Sequence, residues 1–447
     1  MLELKRDIYE KLIEWKKQDS GKVLELNGAR QVGKTFILDK FARENYKRYF
    51  YINMMQTSGK EFVECYYAAT SWKPGEKRIE RPLQKTFELF DETFADDKNT
   101  IVVIDEIQES AEVYSMIRQF ARDFSCHFVV TGSYLGKTLS KEYFLPAGDI
   151  DTMVLDTLSY EEFLGTVGLR NVYDNLDLYG QGKQEEYEEL KKWYDIYIQI
   201  GGYPAVVKCY LETKDMEKCK EELANIIRIF VNESERYFND VLEVNLFEQL
   251  FPSIAQSMIK ESKGSSDRIS ELSKIIFKDE SDRITKKSVN QAIAWLYRSH
   301  IIGYCDRISE CNLMDVSYHS RFYFRDIGVA RHFLRIAGAD QATVEGIINE
   351  NFVYFYLERL IRERKLAGTS PAFGVYKGGE IDFFVRSVEN DKDYAIEVKS
   401  GKNIGKTAKD GKADYLYLLK GDTHGGIVDK KKYTVPIYLM GRITFVD

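Results

Sequence analysis

A chain of 447 residues is longer than one hydrophobic core usually supports, so roughly two to four modules are expected. With 44% hydrophobic and 30% charged residues it reads as globular, which excludes wholesale disorder. The formal net charge of −7 supplies no global basic field, so any contact with a polynucleotide must come from local patches.

The opening stretch, MLELKRDIYEKLIEWKK, is a charged amphipathic helix without the apolar core of a signal peptide. No segment reaches the roughly 18 apolar residues of a membrane span. The six cysteines (Cys65, Cys126, Cys209, Cys219, Cys305 and Cys311) contain no C-x-x-C pair, and the five histidines are dispersed, so zinc-ligand spacing is missing. These features predict a cytoplasmic protein with reduced thiols and no membrane partner.

Residues 22–165 alternate short apolar runs with amphipathic segments, the pattern of βαβ units around a parallel sheet. Candidate strands are residues 23–26, 49–52, 101–104 and 127–131. After the first comes GARQVGKT, residues 28–35, which matches G-x-x-x-x-G-K-[ST] between a strand and the helix TFILDKFAREN. The backbone of Gly28, Ala29, Arg30, Gln31, Val32 and Gly33 can curl around phosphate oxygens, and the helix that begins near Phe36 adds its positive dipole end. Lys34 can reach the β- and γ-phosphates of ATP, and the Thr35 hydroxyl can coordinate Mg²⁺.

IVVIDE, residues 101–106, is a strand suited to burial on both faces, and it ends in two carboxylates where ligands bind in open α/β sheets. Asp105 is placed to hold Mg²⁺ through its water shell, and Glu106 to polarise the water that attacks the γ-phosphate. A third strand, HFVVTGS, ends in Thr131 and Ser133. A polar residue there can sense the γ-phosphate or position the attacking water, and Thr131 would line the nucleotide site, against the plainer reading of a turn after a strand.

From about residue 158 the pattern turns helical and charged, broken at GGYP, residues 201–204. Residues 245–335 hold RISELSKIIF, then TKKSVNQAIAWLYRSH, then the strand pair IIGYCDRIS and RFYFRD. In the second helix Val289, Ala292, Ile293 and Leu296 share one face, leaving Lys286, Lys287, Asn290, Gln291 and Arg298 on others. Such a polar face could enter a major groove or simply be solvated.

The last section opens with the helix EGIINENFVYFYLERLIRERK, in which Glu350 shares a face with Val353, Tyr354, Leu357 and Ile361. A carboxylate on an apolar stripe needs a proton, a metal or a partner such as Arg386. Two strands follow, GGEIDFFVRSV and DYAIEVKSG. Glu380 and Asp382 alternate with Ile381 and Phe383, and Glu397 and Lys399 share a face opposite Ile396 and Val398. Paired antiparallel, the strands would bring Asp382, Glu397 and Lys399 together. Two carboxylates there could hold Mg²⁺ or Mn²⁺, with Lys399 orienting a bound water. A charged hairpin is the alternative. Downstream, Lys402, Lys406, Lys409 and Lys412 join Lys399 in a segment that could follow a phosphate backbone or remain solvated.

Taken together, GARQVGKT, IDEIQ, VVTGS, LSYEEFL and GGYP resemble a widespread prokaryotic group of AAA+ ATPases with a C-terminal PD-(D/E)-x-K restriction-nuclease-like domain. The resemblance implies an α/β multidomain chain: a P-loop AAA+ parallel-sheet core (residues 1–165), a helical lid (166–244), a winged helix (245–335) and an α/β nuclease-like domain (336–447). It implies an ATP-hydrolysing switch in which Lys34 and Glu106 serve hydrolysis, and whose C-terminal module acts on or binds DNA or RNA. In that module Asp382, Glu397 and Lys399 would be catalytic and Glu350, Asp382 and Glu397 would hold metal. An ATP-gated adaptor with a silent nuclease fold, binding nucleic acid or a protein partner, stays open, as does an oligomer. Where the group often has Gly-Arg before the LSYEEFL segment, this chain has Gly148 and Asp149, and Arg118 and Arg122 are the candidates for an arginine finger.

Overall fold

A computed structural model describes residues 3–71, 79–133, 148–238, 246–261, 286–376, 379–399 and 413–446. RISELSKIIF and the lysines at 402, 406, 409 and 412 lie outside these residues. The chain divides into two compact units, Arg6–Asp156 and the segment from Thr157 onward, which also takes in residues 3–5.

The first unit is built on five parallel strands, β1 (Val23–Asn27), β2 (Arg48–Asn53), β3 (Thr100–Asp105), β4 (His127–Thr131) and β5 (Ile150–Val154), in the order β2-β3-β4-β1-β5. Every residue of β3 and β4 is buried. Unbroken apolar runs are what central strands require when helices cover both faces. One face rests on an aromatic cluster in which Phe120 and Phe128 stack at 4.6 Å and Phe87 and Phe94 at 4.9 Å. The sequence expectation of alternating strands and helices is met here.

LSYEEFL lies within the compact unit that runs from Thr157 onward. Its helix, Tyr160–Thr166, opens with a capping box: Ser159 Oγ accepts from the Glu162 amide and Glu162 Oε2 accepts from the Ser159 amide. Glu161, buried on that helix, receives Arg359 Nη1 at 2.6 Å and the Tyr356 hydroxyl, both from the long helix Gln341–Arg362. Gly202 of GGYP lies against Leu158, where a Cβ would fall 2.2 Å from the Leu158 carbonyl oxygen, so only glycine fits.

Eight strands form the second sheet: β6 (Ile302–Ser309), β7 (Val316–Phe324), β8 (Ala372–Tyr376), β9 (Gly379–Arg386), β10 (Asp393–Lys399), β11 (Tyr415–Lys420), β12 (Gly426–Asp429) and β13 (Lys432–Pro436), in the order β12-β13-β11-β10-β9-β8-β6-β7. The sheet is mixed. The β9–β10 pair is antiparallel, as expected, whereas β10–β11, β11–β13 and β6–β8 are parallel.

The strand pair read above as the wing of a separate module is therefore part of the same sheet as the C-terminal strands. β6 joins β8 over Asp306↔Ala372 to Ser309↔Val375, so a boundary at residue 336 does not separate two sheets. No local pattern signals a pairing between strands so far apart in sequence. The helix Lys286–Arg298 turns inward as predicted: Val289, Ala292, Ile293 and Leu296 are buried, while Lys287, Asn290, Gln291 and Arg298 are exposed. Among the described residues no helix is long and apolar enough to cross a membrane.

Candidate functional site

The glycine-rich loop leaves β1 at Asn27. Gly28 takes φ +142°, and a Cβ there would fall 2.1 Å from the Leu155 carbonyl oxygen, so the loop can pass β5 only because this residue lacks a side chain. Gly33 at φ +98° starts the helix Lys34–Asn45. Arg6 braces the loop from behind, donating Nη1 to the Val32 carbonyl at 2.9 Å.

Lys34 is folded back into the cradle. Its Nζ donates to the carbonyls of Gly28 and Ala29, each at 2.8 Å. Burial pushes its pKa down to about 8, with Glu106 and Asp105 opposing that fall and Arg30 adding to it. Phe36, the residue after Thr35, is half exposed on the same helix.

The Thr35 hydroxyl donates to Asp105 Oδ2 at 2.8 Å, which brings together the two side chains expected around Mg²⁺. They supply hard oxygens at the carboxyl end of the sheet, the donor type that this cation takes, so the residues fit it. Asp105 Oδ2 also accepts from the Tyr51 hydroxyl at 2.7 Å, and Asp105 Oδ1 from the Glu106 amide at 2.8 Å. Glu106 stands in the left-handed region, φ +51°, directly after β3. A non-glycine residue held there costs on the order of 1 kcal/mol, and the kink turns its carboxylate off the strand. That carboxylate is engaged: Gln108 Nε2 donates to Oε2 at 2.5 Å and the Ser133 hydroxyl reaches Oε1 at 3.2 Å.

Thr131 is fully buried and its hydroxyl donates to the Leu26 carbonyl between β4 and β1 at 2.8 Å. The polar residue of this strand end that meets Glu106 is Ser133. Arg118 and Arg122 do not approach the nucleotide end. Arg122 forks onto Asp149 at 3.1 and 3.3 Å and Arg118 reaches the same carboxylate at 3.6 Å, while the Asp149 carbonyl accepts the Val23 amide at the start of β1, at the amino end of the strands. The aspartate that stands in place of the expected arginine thus pairs with both candidate fingers.

On the second sheet, Lys399 Nζ lies 2.7 Å from Glu397 Oε2 and 3.6 Å from Asp382 Oδ2. Asp382 Oδ2 accepts the Val398 amide at 2.7 Å across the β9–β10 pair. The strand alternation read from sequence brings these three together. Glu397 is almost fully buried and, among the described residues, its Oε1 has no hydrogen-bond partner. Burial, then the Asp382 charge, pushes Glu397 up to about 7. Glu350 rises to about 8, from burial first and Asp382 next, with Arg321 opposing. Burial likewise raises Asp382. Glu350 therefore belongs electrostatically to this cluster, and Arg386, its alternative partner, instead forks onto Asp393.

Sequence reasoning missed Arg321. This buried guanidinium on β7 ion-pairs with Glu380 and lies 3.7 Å from the Phe373 ring centroid. Its partners are about 50 residues or more away in sequence, so no local signal marks it. Glu380 was legible through its alternation with Asp382. The expected three-carboxylate metal set is not assembled: among the described residues no three His, Cys, Asp or Glu side chains lie close enough to hold a metal ion. The ammonium of Lys399 gathers Asp382 and Glu397 instead.

Residues 20–164 match the family model described as an AAA domain. The chain carries an AAA-family domain. The five-stranded parallel sheet with its helices has the architecture of an AAA+ core, as the resemblance implied. Residues 191–340 match a domain of unknown function (DUF8612). No curated protein matches the chain.

Solved structures with some likeness include the ADP form of the Aeropyrum pernix ORC2 protein, with 12% identity over 78% of this chain and 95% of that one at a TM-score of 0.35. The Aeropyrum pernix ORC1 protein in complex with DNA has 11% identity over 77% and 92% at a TM-score of 0.29. Pif1 helicase from Candida albicans has 14% identity over 42% and 47% at 0.23. Likenesses this slight carry no argument about what the chain binds.

Proposed function

We propose that the chain is an ATP-binding and ATP-hydrolysing switch whose C-terminal sheet acts on or binds nucleic acid. One observation carries the nucleotide half: the Thr35 hydroxyl rests on the Asp105 carboxylate beside a loop that already holds Lys34 in its cradle. Mg²⁺, when bound, would offset phosphate charge, with Thr35 and Asp105 holding it. The loop amides and Lys34 bind and orient the phosphates. Glu106 takes the proton of the attacking water once it exchanges Gln108 and Ser133 for that water.

The nucleic-acid half rests on a cluster that pairs two acids of a β-hairpin with a lysine, joined by Glu350 from the preceding helix, as the resemblance implies for a nuclease-like domain. Incubation of the full chain with plasmid, single-stranded DNA and RNA, with and without ATP and Mn²⁺, tests it. Cleavage that is lost in Asp382→Ala, while ATP hydrolysis persists, is the expected result.

A second reading makes the cluster a binding or structural element of an ATP-gated adaptor. It is favoured by the engagement of Lys399 with both acids and of the Val398 amide with Asp382. Binding of nucleic acid or of a protein that survives Asp382→Ala, with no polynucleotide cut, would select it. The trapped Glu106→Gln form, recovered with its bound partners, would distinguish nucleic acid from protein.

A further inference from the structure

We infer that Tyr51, on β2, is a positioning residue for the Mg²⁺-nucleotide site, holding Asp105 in the orientation that the cation needs. The inference rests on the reading of Thr35 and Asp105 as the Mg²⁺-holding pair.

Asp105 has two carboxylate oxygens and three donors. Oδ1 takes the Glu106 amide, and Oδ2 takes both the Thr35 hydroxyl at 2.8 Å and the Tyr51 hydroxyl at 2.7 Å. Of the two donors on Oδ2, Thr35 is the one that has another task, because its oxygen would turn to the cation. Tyr51 has none. It is therefore the side chain that can keep the outer oxygen of Asp105 fixed in both circumstances.

The rest of β2 equips Tyr51 for this. Asn53 Nδ2 donates to the Tyr51 oxygen at 3.2 Å, which commits the phenolic proton to Asp105. Asn53 is itself pinned, its Oδ1 accepting the Met55 amide at 2.9 Å and its own amide donating to Ser58 Oγ at 3.0 Å. The backbone follows the same path, for the Met54 amide donates to the Asp105 carbonyl at 3.0 Å and Asn53 stands opposite Asp105 in register. A hydrogen bond that orients a metal-holding carboxylate changes metal affinity by about 10- to 100-fold when it is removed.

The test measures binding of a fluorescent ADP analogue to the full chain, in EDTA and over a Mg²⁺ titration. In Tyr51→Phe, affinity in EDTA should stay within about twofold of wild type, while the Mg²⁺ concentration for half-maximal gain rises about tenfold. An unchanged Mg²⁺ midpoint overturns the inference. If Tyr51→Phe melts early in EDTA, Asn53→Ala decides, since it leaves the phenol in place and removes the amide that aims it, together with the acceptor of the Met55 amide. A raised midpoint in that variant supports the role and an unmoved one overturns it. Should Mg²⁺ fail to strengthen nucleotide binding in the wild type, the Thr35–Asp105 reading falls, and the inference with it.

Discussion

Two lysines of this chain stand among acids, and they are held in opposite ways. Lys34 donates to backbone carbonyls of its own loop and only feels Asp105 and Glu106 at a distance. Lys399 lies directly on Glu397 and beside Asp382. Carbonyls are weak competitors for an ammonium, so an incoming phosphate can take Lys34 over and gain a charge-assisted bond. The carboxylates around Lys399 already neutralise it, and an anion arriving there must compete with them. The first unit thus keeps a cation in reserve, while the second uses one to hold two acids together.

Removing each lysine should expose the contrast most sharply. Lys34→Ala should lower nucleotide affinity and hydrolysis by about 100-fold or more and cost only about 1 kcal/mol in urea stability, because the buried ammonium leaves together with its two carbonyl bonds. Calorimetric titration with ATP and steady-state phosphate release would check it. Lys399→Met should do the reverse. It leaves two inward-facing carboxylates without their cation and should cost about 3 kcal/mol in urea unfolding at pH 8, with nucleotide binding unchanged. That loss should shrink toward pH 6 as the acids take up protons, since protonation removes their repulsion. A Lys399→Met protein as stable as wild type at pH 8 would show that Lys399 does not hold the two acids together.

A smaller effect comes from pH. Lys34 is charged below about 8 and neutral above it, and nucleotide binding needs the charged form. Affinity should therefore fall as pH rises above 8, by up to about tenfold per unit, with proton uptake visible as a buffer-dependent binding enthalpy. The smallest expected difference separates two neighbours on one strand end. Ser133→Ala should change hydrolysis by about fivefold, the value of one hydrogen bond to Glu106. Thr131→Val, which loses the hydroxyl bond to the Leu26 carbonyl, should leave the turnover number unaltered in the same assay.

The nucleotide site was largely legible because its chemistry is local. Gly28, Gly33, Lys34 and Thr35 follow one another through the loop and the first turn of its helix, Asp105 ends the buried strand β3 and Glu106 follows it, so local pattern places them. Strand alternation likewise brought Asp382, Glu397 and Lys399 to one face. What escaped was non-local or directional. Tyr51 reaches Asp105 from a neighbouring strand whose pairing no pattern announces, and Arg321 meets Glu380 across 59 residues. Thr131 shows a different limit. The strand end was read correctly, but period two does not say which neighbouring carbonyl a threonine will choose.

The parallel seam between β6 and β8 has a consequence for the protein as it is made. On the ribosome, the whole of Arg6–Asp156 is available to collapse before residue 302 is translated. β6 must then wait for some 70 further residues, on the order of several seconds of synthesis, before β8 arrives. During that interval a buried-type strand has a bare edge, the kind of surface on which nascent chains stick to one another. Cells that make this protein should need a holding chaperone late in translation rather than early, and fragments cut at residue 336 or 340 should be recovered insoluble.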